Sequence, residues 1–307
     1  MTSFRARRDL LRGIAAAAAS VALPKTAPAQ PPLRLTELGN ELAVVSGAGA
    51  NITVAAGADS LLLVDAGLRD RAHELSQLLA ARWPDKPVRT VFNSNWRAEH
   101  SGANEYFVAA GARVLAHENT RLWMAADFHV AWERTHHEPR PPAALPTDTF
   151  YVDGQVDFGA RSAQFGYLPR AHTDGDIYVR FPDDNVLAVG DLLAVNSYPT
   201  IDHVTGGWLG GMAAATRALL ALSNDATRIV ASNGAVQSSS ALQAQLELCT
   251  HVLERLAATY RAGGSLQDFL SAAPAAAFEA QRGDPRTFLE LAYEGAYPYV
   301  RELGGII

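Results

Sequence analysis

The segment Phe92-Asn-Ser-Asn-Trp-Arg-Ala-Glu-His-Ser-Gly-Ala-Asn104 is the most informative part of this 307-residue sequence. It follows a short apolar run, Val88–Phe92, that is typical of a buried strand, and it leads into a helical pattern over residues 101–110. A polar loop at the end of a strand is where an α/β protein usually carries its binding or catalytic residues. We therefore expect the functional site at this loop.

The order of elements around the loop predicts a layered protein. Short β-branched or aliphatic runs between residues 42 and 64 read as a meander of strands, and a helix, a strand and further helices follow. The same succession of strands, helix, strand and helix returns after residue 150. This repetition indicates two similar halves with sheets inside and helices outside. The pattern by itself predicts only a layered α/β domain.

The loop resembles the signature of the metallo-β-lactamase superfamily, Asn-Thr-His-x-His-x-Asp-His-x-Gly-Gly-Asn. This chain has the same residue as the signature at Asn93, His100, Gly102 and Asn104. Four further segments resemble the family's other site loops, in the right order and each at a strand end: Val64–Gly67, Ala171–Asp176, Gly190-Asp191 and Ser232–Gly234. The resemblance covers roughly residues 35–300 and implies a four-layer αββα sandwich.

The resemblance also implies a site for two metal ions, and the first of these sites is altered. Its ligands would fall on Asn95, Arg97 and His172, so only the last retains a ligand histidine. A guanidinium stays charged at any working pH. Placed about 4 Å from a divalent cation at an effective dielectric constant of about 20, it costs roughly 8 kcal/mol. We expect this first site to hold no metal.

The second metal site is weakened rather than blocked. The resemblance places it at Glu99, His100, Asp191 and Asn233, where the family has aspartate, histidine, aspartate and histidine. Two carboxylates, one imidazole and an amide oxygen can hold one divalent ion, although zinc prefers nitrogen and sulfur donors. The sequence therefore leaves two alternatives open: one divalent metal, zinc or another, or none.

Under the metal-free alternative, Arg97 replaces the metal charge electrostatically. It would neutralise the retained acids Glu99 and Asp191, which face cations in the family. The remaining positions would then line the pocket or support it from behind: Asp65, Asn95, Trp96 and Asn233.

The pattern of residues 1–29 predicts that the protein is exported. Arg7-Arg8 precedes an apolar run, Gly13–Leu23, and Ala27-Pro28-Ala29 resembles a cleavage site. The arginine pair resembles a twin-arginine signal, and eleven apolar residues are too few to span a bilayer. We expect residues 1–29 to be a cleaved signal peptide, residues 30–307 to form one metallo-β-lactamase-like domain, and the mature protein to be periplasmic or otherwise exported.

The charge balance of the mature chain excludes polyanionic partners. Removing residues 1–29 takes away five of the 26 basic residues and one of the 32 acidic residues, which leaves 21 basic and 31 acidic residues. A net charge of −10 offers no basic patch for nucleic acid or an anionic membrane. The single cysteine, Cys249, lies in a helical pattern and is expected in the core.

Two functions remain open from the sequence. The first is a hydrolase-like enzyme with at most one metal that acts on a small ester, amide or lactone. His172 would orient or deprotonate water, and Arg97 would bind an anionic group of the substrate. The second is a non-catalytic protein that binds a small anionic ligand or a protein partner through the former metal pocket. The sequence indicates no oligomeric state.

Overall fold

The computed structural model describes residues 30–39, 41–301 and 303. The predicted signal peptide, residues 1–29, lies outside the described residues, and so does its predicted cleavage. Within the described part of the chain, every helix is too short or too polar to cross a membrane.

The first sheet has seven strands in the order β1-β2-β3-β4-β5-β6-β9. The first four strands pair antiparallel, and the remaining pairs are parallel. Their bounds are β1 Arg34–Gly39, β2 Leu42–Ala48, β3 Ala50–Ala56, β4 Leu61–Val64, β5 Val88–Phe92, β6 Arg113–His117 and β9 Asp148–Phe150. Because β4, β5 and β6 are parallel, their carboxyl ends lie at one edge of this sheet.

The second sheet has five strands in chain order, β10 to β14. All pairs are antiparallel except β13 with β14, which are parallel. The bounds are β10 Gly154–Phe158, β11 Arg161–Tyr167, β12 Ile177–Phe181, β13 Val186–Gly190 and β14 Arg228–Ala231. A separate two-stranded hairpin consists of β7 Phe128–Val130 and β8 Thr135–His137.

Helices cover the outer face of each sheet. The α-helices of the described residues are α1 Ala72–Arg82, α2 Ala98–Ser101, α3 Asn104–Ala109, α4 Glu118–Ala125, α5 Leu209–Ala221, α6 Ser239–Arg261, α7 Leu266–Ser271, α8 Glu279–Arg282 and α9 Arg286–Ala296. Leu75 of α1 packs on the first sheet, whereas Leu219 of α5 and Leu248 of α6 pack on the second.

A third apolar cluster lies between the two sheets. Successive side chains of a strand point to opposite faces, so Leu42 and Val44 join this central cluster while Ala43 and Val45 join the helix-facing one. The central cluster also contains Phe92 and residues of the second sheet. The predicted αββα sandwich is therefore confirmed.

Two stretches differ from what their sequence patterns predict. The apolar residues Leu122, Ala125, Ala126 and Val130 have the spacing of a single helix, but α4 ends at Ala125 and Val130 lies in strand β7. Leu122 is 54% exposed, so the spacing does not mark a buried helix face. The proline-rich residues 136–146 have the composition of a surface loop, but His136 and His137 belong to strand β8.

Candidate functional site

The five predicted loops meet at one end of the sandwich and surround a cavity of about 240 Å³. The predicted positions that line it are Arg97, Glu99, His100, His172, Asp191 and Asn233. Ser232 of the predicted Ser232–Gly234 loop also lines it, as do residues outside the predicted loops: Gly49, Ala50, Trp132, Glu133 and Thr200.

The residues shared with the family signature hold the Asn93–Asn104 loop in shape. Asn93 and Asn104 exchange amide hydrogen bonds, and the Asn93 amide also donates to the carbonyl of His100. All three residues are buried. Their polar groups therefore need these partners, and the loop geometry is fixed from inside.

Two unusual backbone positions bring neighbouring strand ends against this loop. Asp65 has a φ of 70°, in the left-handed region, and its carboxylate accepts hydrogen bonds from the backbone N–H and the hydroxyl of Ser94. Gly190 has a φ of 53°, and a Cβ there would lie 2.4 Å from the Ser94 hydroxyl. The end of β13 therefore approaches the loop as closely as only glycine permits.

Arg97 is the centre of a buried ion-pair network. Its Nη1 donates to Glu133 at 2.5 Å, its Nη2 donates to Asp202 at 3.0 Å, and its Nε donates to His172 Nε2 at 3.1 Å. The Arg97 side chain is only 15% exposed, and the Asp202 side chain is fully buried.

The surroundings of Arg97 favour its charged form. Burial works against the guanidinium, but Asp202 and Glu133 outweigh it and raise the pKa of Arg97 above its ordinary value. The guanidinium carbon also lies 5.0 Å from the ring centre of Trp96 and 5.4 Å from that of Trp132, close enough for cation–π attraction. The charge predicted from the sequence is thus held in place by at least five side chains, of which Glu133, Asp202 and Trp132 were not predicted.

His100 lies between two carboxylates. Its Nδ1 is 2.8 Å from Asp65 and its Nε2 is 2.8 Å from Asp191. Burial disfavours the imidazolium, but the two carboxylates outweigh it and raise the pKa of His100 well above 6.5. The two carboxylates thus favour the imidazolium, the form in which neither ring nitrogen has a free lone pair.

His172 is engaged in the opposite protonation state. Its Nδ1 lies 2.8 Å from the carbonyl of Thr200, so the proton resides there, and its Nε2 accepts the hydrogen bond from Arg97. Burial and the nearby guanidinium lower the pKa of His172 below 6.5. The ring is neutral, and Arg97 occupies the lone pair that a metal ion or a water proton would need.

Asp191 accepts hydrogen bonds from three directions. The Asn95 amide donates to its Oδ2 at 2.9 Å, His100 Nε2 lies at 2.8 Å, and the Ser232 hydroxyl also contacts it. Although burial alone would raise the pKa of Asp191, the His100 imidazolium lowers it well below its ordinary value. The Asn95 side chain also accepts a hydrogen bond from the backbone N–H of Arg97, so it connects Asp191 with the Arg97 segment of the loop.

The remaining predicted residues have looser or more remote places. Glu99 lines the cavity but is exposed. Asn233 makes one long contact, 3.4 Å, to the Ser232 hydroxyl. Trp96 is buried behind the loop, where its indole N–H donates to Thr205 and its ring packs against Phe128 and His137.

The side chains present do not fit a two-metal centre. In the first position, the Arg97 guanidinium is hydrogen-bonded to the one histidine retained there. In the second position, His100 has both nitrogens on carboxylates. Across residues 30–39, 41–301 and 303, no group of three or more histidine, cysteine or acidic side chains is arranged so that it could hold a metal ion.

Comparison with known proteins places this geometry in a family. A family model described as the metallo-beta-lactamase superfamily matches residues 46–234, which is more than half of the chain. The chain belongs to the metallo-beta-lactamase superfamily. This membership supports a hydrolase-like function.

Two solved structures show the same fold. The metallo-beta-lactamase from Pontibacter korlensis is similar with a TM-score of 0.59 and 18% identity, over 71% of this chain and 99% of that chain. The DIM-1 metallo-beta-lactamase is similar with a TM-score of 0.58 and 12% identity, over 72% of this chain and 98% of that chain. At these identities the likeness concerns the fold alone.

Proposed function

We propose that this protein is a ligand-binding member of the superfamily in which Arg97 replaces the charge of the first metal ion. The single observation that carries this proposal is the donation from Arg97 Nε to His172 Nε2, combined with its ion pairs to Glu133 and Asp202. A permanently charged group thus engages the lone pair of His172 Nε2, which a metal ion would need.

The cavity sets limits on the ligand. A volume of about 240 Å³ suits a small molecule, and the exposed Glu99 carboxylate, the Ser232 hydroxyl and the Asn233 amide offer it polar contacts. The anionic ligand that the sequence favours stays a prediction. Such a ligand would have to share Arg97 with Glu133 and Asp202.

A second candidate function is hydrolysis of a small ester, amide or lactone with one metal ion. The placement of His100 favours it, because Asp65 binds Nδ1 and directs Nε2 towards Asp191. Carboxylates orient metal-binding histidines in the same way. The side chain of Glu99 would have to turn inwards to complete this site.

Export remains part of the proposal. The Arg7-Arg8 pair and the apolar run that follows support a twin-arginine signal and a periplasmic mature protein. N-terminal sequencing of the protein recovered from the periplasm tests this. We expect Gln30 at the new terminus, and recovery of the uncleaved chain in the cytoplasm would contradict it.

A hydrolysis screen separates the two functions. The mature protein and its His100→Gln variant are tested on ester, amide and lactone substrates, with and without a chelator. Absence of turnover in every sample supports the binding function. Turnover that is lost both with chelator and in His100→Gln supports the one-metal hydrolase and contradicts the binding function.

A further inference from the structure

A second cavity borders the Asn93–Asn104 loop and shares no lining residue with the candidate site. Its volume is about 640 Å³, within the range of small-molecule sites. Its walls include Trp96, Trp123, Met124, Phe128 and Arg140, and we call it the Arg140 cavity. Nothing in the proposed function uses it.

Aromatic rings form one side of the Arg140 cavity. Phe128 contacts Trp96 and Trp123 edge to face, with ring centres 5.2 and 5.1 Å apart. His137 stacks on Phe128 at 5.1 Å. Trp123 is further fixed by its indole N–H, which donates to Asp174 at 2.7 Å. These mutual contacts hold an apolar wall that suits a flat ring.

Arg140 also lines this cavity, and it has no acidic partner among the described residues. Arg140 Nη1 donates to the Ser101 hydroxyl at 2.6 Å and Nη2 donates to the Trp96 carbonyl at 2.7 Å. Across the described part of the chain, no carboxylate lies within 4.0 Å of this guanidinium. Of its five N–H groups, three have no hydrogen-bond acceptor among the described residues.

Burial leaves the charge of Arg140 poorly compensated. It lowers the pKa of Arg140 to about 10, although Glu99 acts at a distance in the other direction. Arg97, by contrast, has its charge matched by Glu133 and Asp202. An anion that accepts the spare N–H groups of Arg140 would supply the missing partner.

The other charged groups at the Arg140 cavity do not oppose an anion strongly. Arg69 pairs with Glu105 at 3.0 Å, so these two charges cancel. Glu138 is exposed, and His136 pairs with Asp127 in solvent. Exposed charges are screened by water and salt, whereas the half-buried Arg140 is not.

We propose that the Arg140 cavity binds an organic carboxylate that has an aromatic body. The carboxylate contacts the spare N–H groups of Arg140, and the ring lies against Phe128 and Trp123. The Arg140 cavity is separate from the pocket at Arg97. Failure of this proposal would therefore leave the proposed function intact.

Binding of 2-naphthylacetate to the mature protein, measured by calorimetry, tests this proposal. Its neutral counterpart, 2-naphthylacetamide, has the same ring and lacks the charge. We expect the carboxylate to bind about tenfold or more tightly than the amide, because a charge-assisted hydrogen bond is lost in the amide. Equal affinities, or no binding of the carboxylate, would overturn the proposal.

Three variants locate the ligand. Arg140→Gln should remove the preference for the carboxylate, and Phe128→Ala should weaken both probes while the preference remains. Arg69→Gln/Glu105→Gln is the matched control, because it removes a charge pair that lines the same cavity and leaves the net charge there unchanged. It should leave both affinities unchanged. A loss in this double variant as large as that in Arg140→Gln would contradict the assignment.

Arg140 also supports the Asn93–Asn104 loop, so Arg140→Gln is first checked for a cooperative thermal transition. If that variant does not fold, the comparison of the two probes on the wild type and on Phe128→Ala still decides. The site is supported if Phe128→Ala binds both probes more weakly and still prefers 2-naphthylacetate over 2-naphthylacetamide. Unchanged affinity in Phe128→Ala contradicts it.

Discussion

Replacing Arg97 by glutamine should destabilise the protein strongly, although Arg97 lies in the candidate functional site and not in the apolar core. The substitution removes the cation and leaves the carboxylates of Glu133 and Asp202 without their main partner. Asp202 is fully buried, and its other oxygen, Oδ1, has no hydrogen-bond partner among the described residues. Its charge therefore depends on Arg97.

The size of the effect follows from this burial. Removing one member of a buried ion pair costs about 3–5 kcal/mol, because the partner charge stays uncompensated. In a protein of this size such a loss lowers the melting temperature by roughly 10 °C. Arg286 offers a matched control, since its pair with Glu290 is 68% and 34% exposed. Arg286→Gln should cost less than about 1 kcal/mol.

Thermal and urea unfolding of the mature protein measure both variants. The double variant Arg97→Gln/Asp202→Asn should regain part of the lost stability, because the orphaned carboxylate is then neutral. If Arg97→Gln loses no more stability than Arg286→Gln, the ion-pair network does not hold the site together. The proposal that Arg97 replaces the charge of the first metal ion would then be wrong.

Three further perturbations test the structure elsewhere. Burial lowers the pKa of His117, whose neutral Nδ1 caps helix α4 by accepting a hydrogen bond from the backbone N–H of Asn119, so stability should fall as the pH drops below about 6.5. His117→Asn should flatten the dependence of the unfolding free energy on pH, measured by urea titrations, and an unchanged dependence would contradict this. Gly207→Ala places a Cβ 2.1 Å from the carbonyl of His172 and should cost about 1–3 kcal/mol, whereas a variant as stable as wild type would show that the contact is not rigid. Ser265→Ala removes a capping box and should cost about 1 kcal/mol in urea unfolding, and no loss would mean that α7 does not depend on its cap.

The layers and the strand ends could be predicted because their signals are local. Alternation along β2 separates two apolar faces, and each family-like loop directly follows a strand that reads as apolar. The helix predicted through Val130 failed for the same reason, since local spacing cannot show that Leu122 faces solvent. At Ala126 the backbone is already extended.

The partners of Arg97 could not be predicted, because they come from distant loops. Glu133 lies 36 residues and Asp202 105 residues away along the chain. Neither follows a strand with a recognisable site motif. The sequence favoured Glu99 and Asp191 as the acids that neutralise Arg97, but in the structure Asp191 pairs with His100 and Glu99 is exposed. Only the fold brings the effective partners to the guanidinium.

Metal analysis of the mature protein tests whether Arg97 replaces the first metal ion. The wild type is purified without chelator, equilibrated with zinc and desalted. Its metal content is compared with that of a variant in which three altered positions are returned to histidine: Asn95→His, Arg97→His and Asn233→His. We expect the wild type to retain far less than one zinc ion per chain and the variant to gain zinc. A wild-type protein that retains a stoichiometric metal ion would contradict the replacement of the metal by Arg97.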